Sequence, residues 1–162
     1  MIITVTVNLK KIITLMQTYP WPKPLVCPNC NSFRVWGHGF VQAFFDGIQT
    51  GIYIRRYRCP DCRCIIRMRP AGYLPRFQAL TSTIRSSLQN KIQHGQWQRD
   101  LNRTRQRHWY LGLLRRAKAF LGDTWKAGLM KAFDYFVTSG INPVSRSFKA
   151  EVKSHSIDPT EG

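Results

Sequence analysis

Two matched cysteine pairs carry the most definite chemistry in this chain, Cys27-Pro28-Asn29-Cys30 and Cys59-Pro60-Asp61-Cys62. Thiolates separated by two residues form a knuckle whose backbone wraps a cation. Two such knuckles complete a tetrahedral four-sulfur set. Each pair has proline directly after its first cysteine, a match that two unrelated thiol pairs in a reduced core would not show. The expected ion is Zn2+ in a structural role, with Cys27, Cys30, Cys59 and Cys62 as its ligands. Cys64 is surplus to a complete set and reads as a spare thiol. His38, in Gly37-His38-Gly39, reads as a turn histidine with no ligand role.

The second chemistry is charge. The 162 residues hold 25 Lys and Arg against 8 Asp and Glu, a formal net charge of +17. Such an excess calls for a polyanionic partner, nucleic acid first and an anionic membrane surface second. The bias toward arginine favours nucleic acid, because the guanidinium fork fits phosphates and base edges. The arginines gather in two places. Arg55, Arg56, Arg58, Arg63, Arg67 and Arg69 surround the second cysteine pair, and read as phosphate contacts. Arg103, Arg105 and Arg107 open a helical stretch that ends with Arg115, Arg116 and Lys118.

The elements that position these groups follow from pattern. Residues 1–25 read as a short β-branched strand, then a helix capped by Asn8 with Leu9, Ile12, Ile13 and Met16 on one face. The Tyr19-Pro20-Trp21-Pro22-Lys23-Pro24 linker that follows is extended, and Tyr19 and Trp21 pack on the unit after it. Residues 26–72 read as the metal-centred unit. Strands are expected at Phe33 to Trp36, Phe40 to Phe45, Ile52 to Arg58 and Ile65 to Met68, with turns at Gly37-His38-Gly39 and Asp46-Gly47. A unit this small buries little apolar surface, so the ion must supply much of its folding free energy. Phe33, Trp36, Phe44, Phe45, Tyr53 and Tyr57 are read as its core.

Residues 80–140 read as helical. Thr81 would cap a helix carrying Ile84, Leu88 and Ile92, stopped at Gly95. A short helix is expected from Trp97 to Asn102. Thr104 would open a third, with His108 or Trp109, Leu113, Ala117, Phe120 and Leu121 inward, and Asp123 or Thr124 would cap a fourth. Helix, short helix and basic helix fit a helix-turn-helix, whose recognition helix would bring Arg105, Gln106 and Arg107, with Arg103 beside them, to base edges. The other reading is a plain bundle with a solvated basic face. Residues 141–162 read as a disordered tail. The expected fold class is α+β, a small zinc ribbon of short antiparallel strands followed by a helix-turn-helix-like region.

From Tyr19-Pro20-Trp21-Pro22 through the two cysteine pairs, Trp36-Gly37-His38-Gly39, Arg55-Arg56-Tyr57-Arg58 and Arg69-Pro70, the chain resembles the zinc ribbons of bacterial insertion-sequence transposases. It also resembles a related transposon-associated ribbon family. The resemblance implies zinc and binding of duplex DNA at a mobile element's terminal repeats. It does not imply strand transfer, because the nuclease-fold domain with its metal-binding carboxylates has no counterpart here. Of the acids, Asp46 fits a turn, Asp61 lies within a knuckle, Asp123 fits a cap, and Glu151, Asp158 and Glu161 fall in the tail. Asp100 and Asp134 complete the list, and no catalytic set emerges. No phosphate-binding Gly-Lys-Ser/Thr loop, Gly-x-Ser-x-Gly elbow or His-Glu-x-x-His helix occurs. The expected protein is therefore not an enzyme and has no small-molecule substrate. Its expected partners are duplex DNA and a transposase or other protein. The alternative is a protein-interaction or RNA-binding ribbon. No signal peptide and no membrane-spanning run is read, and metal-type cysteine spacing suits the reducing cytoplasm.

Overall fold

A computed structural model describes residues 1–122, 125 and 127–145. The chain divides into two compact units, 1–96 and 97 onward. Together they hold a four-stranded mixed sheet and four α-helices, an α+β architecture.

The first unit is built on strands β1 (Ile2–Val5), β2 (Trp36–Ala43), β3 (Ile52–Arg58) and β4 (Ile65–Pro70), in the order β1-β4-β3-β2. Strand β3 runs antiparallel to both β2 and β4, whereas β1 joins β4 in parallel, Ile3 opposite Met68. The N-terminal strand is thus part of the same sheet as the cysteine unit. A parallel partner requires a long crossover, which here includes α1 (Leu9–Leu15) and a turn of 3-10 helix, Met16–Thr18. Asn8 caps α1 as expected, its Oδ1 accepting the Lys11 amide at 3.1 Å. Ile12 and Trp21 enter the core with Val35, Phe45, Ile54, Tyr57, Ile66 and Met68. The Tyr57 hydroxyl donates to the Trp21 carbonyl at 3.2 Å, tying the proline-rich linker to β3. This linker lies on the unit, as the sequence suggests.

Two expectations are corrected here. Gly37-His38-Gly39 is not a turn between strands. It lies inside β2, and the chain at Phe33 to Val35 is not a strand. The pairing with β3 shifts between Gly37 and Phe40, so β2 holds one residue more than the segment it faces. Gly39 adopts φ +75°, and a positive-φ glycine serves a bulge as well as a turn. The second correction concerns the aromatics. Phe45 and Tyr57 are buried, but Phe33, Trp36 and Phe44 are 82%, 57% and 55% exposed.

Helix α2 (Thr81–His94) buries Ile84 and Leu88 and ends at Gly95 in the left-handed conformation, as its spacing predicts. Its N-cap is Leu80 rather than Thr81, with no side-chain cap bond. The Thr81 amide instead donates to the Gly72 carbonyl at 2.7 Å.

The second unit is formed by α3 (Arg103–Leu121) and α4 (Leu129–Thr138). The short helix expected from Trp97 to Asn102 is absent; these residues form an irregular turn. The reason is Gln106. It is fully buried and its amide closes that turn, accepting from the Gln98 amide at 2.9 Å and donating to the carbonyls of Gln98 and Leu101 at 2.8 and 2.9 Å. One side chain thus supplies the partners a helix would have supplied. Asn102, not Thr104, caps α3. Trp109, Leu113 and Ala117 point inward as read, whereas Phe120 is 42% exposed. Helix α4 buries Ala132, Phe133 and Phe136. Gly112 lets the backbone pass close by: a methyl there would lie 2.2 Å from the Val144 carbonyl oxygen. Val144 is fully buried, so residues 141–145 are packed rather than the start of a tail. The cap expected at Asp123 or Thr124 is corrected, since α4 begins at Leu129 with Gly128 as its N-cap and no side-chain cap bond; Asp123, Thr124 and the rest of the expected tail, 146–162, lie outside the described residues. Among the described residues, no helix is long and apolar enough to cross a membrane.

Candidate metal centre and the arginine face

Each knuckle is a short loop leading into or out of a strand. The two loops share one construction. The Cys27 amide donates to the Ser32 carbonyl at 2.8 Å, and the Cys59 amide to the Cys64 carbonyl at 3.0 Å. The residue after the second cysteine is left-handed in both, Asn31 at φ 57° and Arg63 at φ 60°. Such a conformation is uncommon for a side-chain-bearing residue. Its recurrence at equivalent positions marks the tight turn that presents both sulfurs to one point.

The turns bring Cys27, Cys30, Cys59 and Cys62 together, all four sulfurs within 4.8 Å of one another. The Sγ atoms of Cys27 and Cys62 lie 3.6 Å apart, as do those of Cys30 and Cys59. All are free thiols, and these separations are far beyond a disulfide bond. A metal–sulfur bond of ~2.3 Å in a tetrahedron sets sulfur–sulfur edges at about 3.8 Å. The donor set therefore fits a tetrahedral four-thiolate metal ion, and a bound ion would supply cross-linking rather than reaction chemistry. Cys27 and Cys59 are buried and Cys30 is exposed, so the centre lies at the surface of the core.

The thiols do not titrate alike. The Asn29 side chain, followed by the Cys64 backbone, lowers Cys62 to about 6. Cys30 is pushed up to about 12: the Ser32 backbone acts to lower it, but burial and hydrogen bonding with Cys62, Cys59 and Cys27 outweigh that. Binding a cation at neutral pH must therefore release protons, and affinity falls as the solution is acidified.

Asp61 joins the knuckles. It accepts from the Ser32 hydroxyl and from the Arg34 guanidinium, the latter at 2.8 Å. Arg34 in turn lies 5.8 Å from the centre of the Trp36 ring. Cys64 stands outside the sulfur cluster, and its thiol donates to the Ile65 carbonyl at 3.8 Å. His38 lies in the β2 bulge and is not among the clustered ligands.

The sheet arginines separate onto two faces. Arg55 pairs with Phe40 and stacks 4.6 Å over its ring and 5.6 Å over that of Tyr57. On the opposite face Trp36 pairs with Arg58 and Arg58 with Ile65, while Arg56 pairs with Arg67 and Arg67 with Ile2. Arg58 and Arg67 are exposed, and Arg56 is half-buried with its Nε out of solvent and without a hydrogen-bond partner. None of the four strands carries an acidic residue. Like charges directly opposite in a sheet repel, so the Arg56–Arg67 pair lacks local compensation on its strands. Arg69 is different. Its guanidinium donates to the Tyr73 carbonyl at 3.2 Å and to that of Phe77, and lies over Phe45, which commits it to holding the following loop.

On α3, Arg103, Arg105 and Arg107 are exposed, with Arg105 lying 5.4 Å over the Trp109 ring. Gln106 is withdrawn from any base contact by its burial and its three bonds to the preceding turn. A buried glutamine at the start of a helix leaves no periodic signal, so sequence alone assigns it to the polar face. The missing short helix also removes the middle element of a helix-turn-helix. No protein-family model, no curated protein and no solved structure matches the chain.

Proposed function

We propose that the four-cysteine unit is a zinc ribbon, and that the chain is a zinc-stabilised DNA-binding protein that acts by binding alone. The carrying observation is the sheet face on which Arg56, Arg58 and Arg67 meet across strands that hold no carboxylate. An anion relieves the repulsion that the fold builds in, and a polymer of phosphates does so at several points together. Four thiolates favour Zn2+ among the ions available to such a site. The likeness to insertion-sequence transposase ribbons supports a role beside a mobile element, with duplex DNA as ligand. The exposed Arg103, Arg105 and Arg107 are a second set of phosphate contacts rather than a recognition helix.

Fluorescence anisotropy of the zinc-loaded chain on labelled DNA, titrated across salt, tests this. Binding should weaken steeply as salt rises, and Arg58→Ala and Arg67→Ala should each reduce the logarithmic salt slope by roughly one. Salt-independent binding, or slopes unchanged in both variants, refutes the arginine face and favours a protein partner.

A further inference from the structure

The arginine face also carries Trp36. Its ring is 57% exposed, at the end of a cross-strand row that runs Trp36, Arg58, Ile65. The adjacent row runs Arg56, Arg67, Ile2. Neighbouring strands are about 4.8 Å apart, and successive same-face residues along a strand about 7 Å apart. The Cα positions of Arg56, Arg58 and Arg67 therefore form a grid whose interval is close to that between successive phosphates of an extended strand. An indole beside such a grid is costly to leave in water unless a flat apolar surface covers it.

Trp36 is held in place rather than loosely displayed. Arg34 lies over the ring and is itself fixed by Asp61, a residue of the second knuckle. The orientation of the ring is thereby linked to closure of the four-cysteine centre. In a base-paired duplex the faces of the bases are stacked on one another and closed to a protein ring. Only an unpaired base offers a free π-face, and base–aromatic stacking combined with a cationic track is how sequence-tolerant single-strand binding works.

We propose that Trp36 is a stacking platform for an unpaired base, and that the preferred ligand of this face is single-stranded DNA. Phosphates lie on Arg58, Arg56 and Arg67, and one base lies on the indole. This rests on the DNA-binding reading above and revises it at this face, where a single strand takes the place of the duplex as the preferred ligand. A protein ligand is disfavoured because the exposed apolar groups here are interleaved with arginines instead of forming one continuous patch.

The test compares a fluorescein-labelled oligothymidylate with a blunt DNA hairpin of equal phosphate number, at one salt concentration, for zinc-loaded wild type, Trp36→Ala and Trp36→Phe. Oligouridylate serves as a third ligand. Zinc content is measured for each variant, and Arg58→Ala is a charge control. Wild type should bind the single strand at least tenfold more tightly than the hairpin. Trp36→Ala should lose roughly tenfold on the single strand and stay within twofold on the hairpin. Trp36→Phe should retain most of the preference, and Arg58→Ala should weaken both ligands alike. Equal losses on both ligands in Trp36→Ala, or no loss on either, overturn the platform. Hairpin binding with a steep salt slope but no single-strand preference overturns the platform alone and leaves the DNA-binding reading standing. No binding to any of the three overturns both. Oligouridylate held tenfold better than oligothymidylate overturns the assignment to DNA.

Discussion

At the surface of the sheet unit's core stand four sulfurs, with Cys27 and Cys59 counted among the buried residues along with Ile54 and Ile66. In the helical unit the corresponding place is taken by Trp109, Leu113, Phe133 and Phe136, with Phe120 and Phe136 in an edge-to-face contact at 6.1 Å. An ion held by those sulfurs would cross-link the two knuckles without occupying much volume. Phe33, Trp36 and Phe44 lie outside on this unit. The helical unit has no such cross-link among its described residues and must close its interior with side chains, Gln106 included. The sheet unit thus leaves Phe33, Trp36 and Phe44 exposed, whereas the helical unit buries Trp109, Phe133 and Phe136 and exposes arginines at the start of α3.

The contrast can be broken most severely at the sulfurs. Cys59→Ser, or removal of the ion by a chelator, should unfold the sheet unit, since structural zinc contributes about 10–16 kcal/mol in small zinc domains. Hydrogen exchange should show β2, β3 and β4 losing protection while α3 and α4 keep theirs. Retained protection in β3 would mean that the apolar core suffices without the ion. Next in size, Phe133→Ala should cost about 3–5 kcal/mol in the helical unit, as expected for a buried phenyl group. Thermal melting should register that loss while zinc stoichiometry stays at wild-type level. Smaller again, Gln106→Ala should cost about 1–3 kcal/mol by removing the three hydrogen bonds that its amide makes to Gln98 and Leu101. Denaturant titration checks the loss, and DNA affinity should not change. A drop in affinity without a drop in stability would restore Gln106 to the binding surface.

Legibility differed between the units for the same physical reason. Thiol pairs at fixed spacing over-determine their geometry, so the four clustered cysteines could be read directly. A turn does lie at Asp46-Gly47, and the strand Ile52–Arg58 has the bounds read for it. The bulge did not announce itself, because Gly37-His38-Gly39 suits a turn and a bulge equally, and only the pairing register distinguishes them. Apolar residues were assigned inward by type, which misjudged Trp36 because sequence does not reveal how much interior a cross-link leaves to fill. In the helical unit, periodicity found α3 and α4, but long-range use of one amide by a turn lies outside any periodic pattern. The expected helix-turn-helix failed there, at Gln98 and Leu101.

The extra residue in β2 has a further effect. Among the described residues, β2 is an outer strand of the sheet, with β3 as its one neighbour. An outer strand with a regular row of free amides and carbonyls invites another copy to pair with it and extend the sheet. The irregularity between Gly37 and Phe40 interrupts that row and increases the local twist. On the binding mode proposed above, copies crowded along one nucleic-acid strand would meet edge to edge at high local concentration. The bulge gives them no continuous border to join, so they can share a polymer without fusing into a common sheet.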